Sequence, residues 1–521
     1  MGQVKTTSRK PKSMPAAKKP AGRQTARRRA TSAANEDRDF DVLVIGAGIS
    51  GVSAAYHLQK MCAHKSYCVL EGRPRLGGTW DLFRYPGIRS DSDMYTLGYS
   101  FRPWTDPKAI ADGPSILKYV EATAREFGIY DKIRFNRYVT EASWSSAQSR
   151  WTLTVTDQTT GEEQIYTANF IAMCTGYYDY AQGYQPDFPK QSSFKGKIVH
   201  PQFWPEKLDY DDKNVVIVGS GATAVTLVPE MAKRAKHVTM LQRSPTYIVA
   251  MPAISRLAQT LHRYLPDMAA YRLVRTWKIL MQRLSFWYCR RYPQRAKAML
   301  VKAVHDVLGD GYDVEKHFTP HYNPWDQRVC LAPDGDFFVS MKKGKADVVT
   351  DHIDRFDAKG ISLASGAHLD ADIIVSATGL KLQMLGGLKM TVDEKPIHPH
   401  DTYNYKGMMF SGIPNMSQSF GYTNASWTLK CDLTSAYLCR LLNHMDKKGY
   451  TIAKPVVDET RIEDEPLLDF SSGYVQRALQ DLPRQGHERP WKLYQNYVLD
   501  LLTLGYGPVD DAAMEFSSAR N

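Results

Sequence analysis

Residues 41–51 read DVLVIGAGISG, and the fold is decided by how this stretch is read. An apolar run ends in Gly46-Ala47-Gly48, a helix-like run follows to about Met61, and a second apolar run spans Tyr67 to Glu71. Strand, glycine turn, amphipathic helix and strand make a βαβ unit. Each glycine then has a task. Gly46 permits the tight turn, Gly48 lets backbone approach a pyrophosphate, and Gly51 lets helix and sheet pack closely. The helix N-terminus offers free N–H groups and a partial positive charge to phosphates. Glu71 follows Gly51 by 20 residues, at the end of the second strand, where a carboxylate accepts hydrogen bonds from an adenosine ribose. A glycine-rich turn without a ligand is a poor account of that acid. The expected occupant is FAD.

The pattern returns at residues 214–224, NVVIVGSGATA, with a helix to about Ala235 and a strand from His237 to Arg243. Gly219 and Gly221 repeat the glycine roles, Ala224 takes the third position, and Thr223 sits in the same turn. No acid closes the second strand, which ends Gln242-Arg243-Ser244. A carboxylate there would repel a 2′-phosphate. A guanidinium binds one bidentately, and Ser244 adds a hydroxyl donor. Arg243 stands 22 residues after Gly221, so the expected second cofactor is NADPH, not NADH. Further strands are expected at 169–174 and 371–376, each running into a Thr-Gly turn (Thr175-Gly176 and Thr378-Gly379). The predicted architecture is α/β, with two Rossmann-like dinucleotide-binding domains. Residues 37–180 and 380–521 form the FAD domain, and residues 195–379 form the NADPH domain inserted into it.

A chain of 521 residues, 43% hydrophobic and 23% charged, suits a soluble protein of two or three domains. No stretch approaches the roughly 18 uninterrupted apolar residues of a membrane span. The net charge of +12 is uneven: residues 1–36 hold ten Lys/Arg against Glu36 alone. That segment reads as a disordered basic tail, a solvated leader or targeting extension, with no apolar core of a secretory signal. Such a tail can touch nucleic acid or anionic lipid, but a nucleic-acid function is not the expected one. Seven cysteines form no C-x-x-C pair, which fits free, mostly buried thiols in a reducing, cytoplasmic compartment. No metal-ligand set is assigned. Residues 255 to about 306 read as helical, rich in aromatics and Lys/Arg and almost free of acids. A basic amphipathic helix can lie on a membrane surface. Here the apolar residues look spread over several short helices, so the expectation is an insertion, about 255–325, packed on the second nucleotide domain.

Two longer motifs narrow the function. Residues 194–204 read FKGKIVHPQFW, placing Phe194, Gly196, His200 and Trp204 at fixed spacing. Residues 77–91 read GGTWDLFRYPGIRSD, with Gly77, Gly78, Thr79, Trp80, Tyr85, Pro86, Gly87 and Asp91. Both resemble the fingerprints of type I Baeyer–Villiger monooxygenases without a departure. The resemblance runs from about Asp39 to the last fifty residues. It is greatest with the ethionamide-activating group, through residues 84–98, 219–229, 321–328 and 421–430.

The resemblance implies roles that spacing alone does not. Arg328, in HYNPWDQR, matches the family arginine that stabilises negative charge beside the flavin and supports the nicotinamide, and Asp91 matches its acidic partner. Gly78, Thr79, Trp80 and Tyr85 fall with the cofactor-binding residues. Many members carry Lys before this Arg, at the 2′-phosphate. Gln327 stands there in this chain, which leaves more of that phosphate to Arg243. His200 lies in the family's interdomain linker, so it is assigned to domain coupling with Phe194, Gly196 and Trp204. Gly421 to Trp427 is expected to set a helix N-terminus near Asn424 at the flavin ring.

The resulting expectation is an FAD- and NADPH-dependent monooxygenase that inserts one oxygen atom of dioxygen into a ketone. The same resemblance implies oxygenation of sulfides and thioamides at sulfur. Disulfide reductases share the double-Rossmann plan but need a redox-active cysteine pair, and none is present. A flavin N/S-monooxygenase without ketone activity would end the first motif in another aromatic than Trp204. A flavin-bearing nucleic-acid or peripheral membrane protein that uses its basic segments is the remaining rival.

Overall fold

The computed structural model describes residues 1–2, 38–467 and 473–518. The tail expected over residues 1–36 therefore lies, but for its first two residues, outside the described residues. From Phe40 onward the chain is one compact unit built on two sheets. The first centres on strand Asp39–Ile45, whose Val42, Leu43 and Val44 are fully buried. It pairs in parallel with Tyr67–Leu70, and that strand with Ile133–Arg134. On its other side lies an antiparallel meander of Glu163–Met173, Arg150–Asp157 and Arg137–Ser145. Trp151, Leu153 and Val155 alternate inward along the middle strand, as a period-2 pattern requires. A hairpin, Lys389–Val392 and Lys395–Ile397, extends the edge of this sheet. Met416–Gln418 joins Glu163–Met173 in parallel.

The second sheet is wholly parallel, in the order Ala346–Thr350, His237–Gln242, Asn214–Val218, Ile373–Ser376, Lys197–Val199. Val215, Val216 and Ile217 of its central strand are almost fully buried, as in a sheet covered on both faces. All its strands fall between residues 197 and 376, while the first sheet uses residues on both sides of that span. One dinucleotide-binding domain is thus inserted into the other. In the first, helix Ile49–Met61 follows the glycine turn, and a Cβ on Gly51 would sit 1.9 Å from the Gly46 carbonyl oxygen. Only glycine allows that approach.

The helical insertion differs from the expectation. It comprises Arg256–Tyr264, Asp267–Arg291, Pro293–Leu308 and Val314–Phe318, and its second helix runs 25 residues without a break. It does not pack on the second domain alone. Ala258, Tyr271 and Val274 join the core of the first domain, whereas Val304, Val314 and Phe318 join that of the second. No glycine or proline divides residues 267–291, which is why the helix runs unbroken. All seven cysteines are buried free thiols.

Candidate active site

The two glycine turns open into one cleft of about 1370 Å³. Its wall takes Gly46, Gly48 and Glu71 from the first turn and strand, and Gly219, Gly221, Thr223, Arg243 and Ser244 from the second. Gly78, Thr79, Trp80, Tyr85 and Asp91 come from the loop between, and Gln327 and Arg328 from the segment after the insertion. Both Thr-Gly turns also reach it. Gly51 and Ala224 do not line the cleft; they lie on the helices behind it and pack those helices down.

Each nucleotide turn presents a helix end. Helices Ile49–Met61 and Ala222–Met231 begin after Gly48 and Gly221, and neither has a side-chain cap. Their first N–H groups therefore face the cleft as anion donors. A Cβ on Gly48 would approach the Gly78 backbone at 3.6 Å, and one on Gly221 would meet nothing within 4 Å but open cleft. Glu71 is buried beneath the first turn, where its carboxylate accepts the Ala47 N–H at 2.7 Å and the Arg73 N–H at 2.9 Å. Burial pushes its pKa up and these two bonds pull it back. Arg73 is anchored in turn by Asp81, which also meets Arg75 and Arg84. The uncapped helix ends at glycine turns fit a dinucleotide in each unit, and the buried strand-end acid fits a ribose in the first.

Gln242 closes the second strand from inside, donating to the His317 carbonyl at 2.7 Å and to Thr350 Oγ1 at 2.9 Å. Arg243 and Ser244 are left exposed at the lip. The acid at the end of the neighbouring strand, Asp351, is engaged by Ser365 and by the His352 N–H, whose bonds hold its pKa low.

Arg328 meets Asp91 in a forked pair, Nε to Oδ2 at 2.7 Å and Nη2 to Oδ1 at 3.2 Å. The two residues are 237 positions apart in the chain. Asp91, more than burial opposes it, raises the Arg328 pKa above its already high value, so the guanidinium stays charged. Beside it lie Tyr177 and Tyr178, their hydroxyls 3.0 Å apart, which sequence reasoning did not single out. Burial raises both phenols, so they are neutral. Tyr177 stacks on Trp427 at 5.0 Å and Phe420 leans on both rings. Tyr474 and Arg477 also line the cleft and were not anticipated. The signal available for the tyrosine pair was its position directly after Thr175-Gly176.

Four contacts brace this centre. Trp325 takes a left-handed φ of 72°, strained for a bulky residue, three positions before Arg328. Its ring meets Phe286 edge-on, and the adjacent Asp326 pairs with Arg290 at 2.6 Å, both partners being on the long helix. Tyr85, whose burial raises its pKa to about 12, hydrogen-bonds Thr223 and so ties the loop to the second turn. Arg89 pairs with Asp336 across the same boundary.

The motif at 194–204 stands apart from the cleft. His200 Nε2 reaches the Tyr184 carbonyl at 3.3 Å, and Nδ1 accepts the Gln202 N–H at 3.2 Å, which makes it a neutral imidazole whose pKa burial lowers. Phe194 is buried in a separate core cluster, Trp204 packs on the core of the second domain, and a Cβ on Gly196 would collide with the Asp372 carbonyl oxygen. The helix expected to begin near Asn424 begins at Trp427 after Ser426. Asn424 instead donates to the Gln495 carbonyl at 3.0 Å, and Trp427 Nε1 donates to Ser50 at 2.9 Å.

Comparison with known proteins places this arrangement. Residues 99–293 match the family profile described as flavin-binding monooxygenase-like, and residues 44–107 match an NAD(P)-binding Rossmann-like domain. Among solved structures, an oxidized steroid monooxygenase bound to NADP superposes with a TM-score of 0.72 over 92% of this chain and all of that one, at 21% identity. The chain is 53% identical to the FAD-containing monooxygenase EthA of Mycobacterium tuberculosis, over 92% of its own length and 98% of the relative's. To the FAD-containing monooxygenase EthA of Mycolicibacterium smegmatis it is 50% identical, over the same shares. No helix among the described residues is long and apolar enough to cross a membrane. By these likenesses the chain belongs to the family of FAD-containing flavin monooxygenases.

Proposed function

We propose that this monooxygenase is an NADPH-dependent Baeyer–Villiger enzyme that converts ketones to esters or lactones and oxygenates sulfides and thioamides at sulfur. The observation that carries the reading is the forked Arg328–Asp91 pair in the wall of the cleft shared by both glycine turns. The first domain, residues 37–180 and 380–521, would hold FAD through Gly46, Gly48, Gly78, Thr79, Trp80 and Glu71. The second, residues 195–379, would hold NADPH through Gly219, Gly221 and Thr223, with Arg243, Ser244 and Gln327 at the 2′-phosphate. When bound, FAD supplies the redox chemistry, taking a hydride from NADPH and activating dioxygen.

The residues of the chain do the rest. Arg328 would place a permanent positive charge beside the reacting oxygen and cannot quench negative charge by giving up a proton. Asp91 fixes the plane of that guanidinium through two contacts. Tyr177 and Tyr178, neutral phenols hydrogen-bonded to each other, would give the site a polar edge without adding charge, and the rings of Tyr177, Phe420 and Trp427 would keep water off it. His200, Phe194, Gly196 and Trp204 couple the domains and touch no substrate. Ketone, dioxygen, NADPH and a proton enter; ester, water and NADP⁺ leave. The test is a panel of cyclic ketones, sulfides and thioamides, scored by NADPH consumed and product mass. Ester or lactone from at least one ketone supports the reading. Oxygenated sulfur products with no ester from any ketone refute the ketone half.

A further inference from the structure

Among the described residues, the long helix Asp267–Arg291 leaves one face unpartnered. Leu273, Trp277, Leu280, Leu284 and Trp287 are each 47–53% exposed. Their spacing of four, three, four and three residues keeps them within about 40° of one line down the helix, over roughly 21 Å. By the same rotation Arg272 and Arg283 lie along one margin of that stripe, in line with Arg290, which is held by Asp326. Ala270, Tyr271, Val274, Arg275 and Cys289 are the buried residues of the helix. Single exposed apolar residues are ordinary, but a continuous stripe with large aromatics marks an interaction surface.

Charge selects the occupant. Between Asp267 and Asp306 the chain carries nine Lys/Arg and no acid. A second copy seated on the same face would bring two arginine rows together. An anionic lipid surface meets the row with phosphates and the stripe with acyl chains, and tryptophan favours that boundary. The helix is too polar to span a membrane, so it would lie in the plane of the interface. We infer that this face docks the enzyme on an anionic bilayer, with the leucines and tryptophans inserted and the arginines on headgroup phosphates.

The other side of the helix is tied to the active site. Arg275 donates to the carbonyls of Tyr95, Thr96 and Gly98 at 2.7–3.1 Å, Gln282 donates to that of Asn424 at 3.2 Å, and Phe286 meets Trp325. Docking surface and catalytic support are therefore two sides of one element. The inference rests on this geometry and not on which substrate the enzyme oxygenates.

The test uses the full-length, FAD-loaded protein and two kinds of vesicle, phosphatidylcholine with an equal part of phosphatidylglycerol, and phosphatidylcholine alone. Co-sedimentation is measured against lipid concentration. Every variant keeps residues 1–36, so differences between variants belong to the helix. Leu280→Ser/Leu284→Ser should weaken binding to the anionic vesicles at least about tenfold. Arg272→Gln/Arg283→Gln should weaken it about 30-fold, at about fivefold per cation, and change nothing on neutral vesicles. FAD content and thermal unfolding report folding, and the arginine pair alone suffices should the leucine pair disturb it. Parent protein that fails to sediment with anionic vesicles overturns the inference, as does arginine-variant binding equal to the parent's. Self-association lost in the leucine variant, with vesicle binding unchanged, assigns the face to a second copy and overturns it as well.

Discussion

Asp91→Asn leaves the side chain the same size and removes its charge. The two contacts it breaks or weakens are the 2.7 Å and 3.2 Å arms of the fork to Arg328. Charge-assisted hydrogen bonds contribute about 1.5–3 kcal/mol when shielded. Here the side chains of Arg328 and Asp91 are 36% and 28% exposed, so solvent screens the pair. The lower end applies, about 1–1.5 kcal/mol, which is roughly 5–10-fold in rate. Arg328 keeps its charge whatever its partner but loses its fixed plane. The expected result is a fall of that size in kcat for ketone oxygenation, with NADPH consumption falling less than product and hydrogen peroxide making up the difference. FAD should stay bound, since Glu71 and the first turn are untouched. Paired assays of NADPH, product and hydrogen peroxide read all three. An unchanged kcat with unchanged coupling would mean that Asp91 does not aim the guanidinium, and loss of FAD would mean that it holds the first domain together.

Three further substitutions probe the binding residues and the domain contact. Glu71→Ala removes the buried carboxylate proposed to accept the ribose and frees the Ala47 and Arg73 N–H groups, so FAD should be lost on gel filtration; retention equal to the parent's would detach Glu71 from that site. Arg243→Ala should raise KM for NADPH roughly tenfold, the screened end of a bidentate phosphate contact, and leave KM for NADH unchanged; an equal rise for both removes Arg243 from the 2′-phosphate. Burial lowers the His200 pKa, so its contribution to stability is whole above the unfolded value of about 6.5 and is lost as pH falls through the folded one. His200→Gln should therefore show a smaller drop in Tm than the parent between about pH 8 and about pH 5.5; an identical drop would place that pH dependence elsewhere.

Local signals in the sequence carried the two glycine turns, because each binds its own helix to its own strand within a few residues. Glu71 and Arg243 were legible for the same reason: a strand end lies at a set distance from its turn. The Arg328–Asp91 contact is different. Nothing local joins residues so far apart, and only the resemblance brought them together; their contact is a consequence of the insertion's return path. Trp325 was not legible, since its positive φ goes with a tertiary contact to Phe286 and leaves no mark in composition. The meander at 137–173 was legible in principle, with Trp151, Leu153 and Val155 alternating, although only its last strand was expected. The helix over 267–291 misled because its aromatics face two ways: Tyr271 is buried, while Trp277 and Trp287 point to solvent. A periodicity without the neighbouring structure does not say which face is core.

Arg328 is the residue on which the proposed chemistry depends. Arg328→Ala removes the charge proposed to lie beside the reacting oxygen, a loss that costs about 2.7–4 kcal/mol, or 10²–10³-fold, where a single oxyanion-stabilising donor is removed. The decisive measurement is product formation by FAD-loaded Arg328→Ala on the best ketone of the panel, alongside hydrogen peroxide release and FAD content. The expected result is full FAD content, ester formation reduced at least about 100-fold, and NADPH oxidation diverted to hydrogen peroxide. Ester produced at the parental rate by that variant would contradict it, leaving Arg328 a structural partner of Asp91 and the oxygenating centre elsewhere in the cleft.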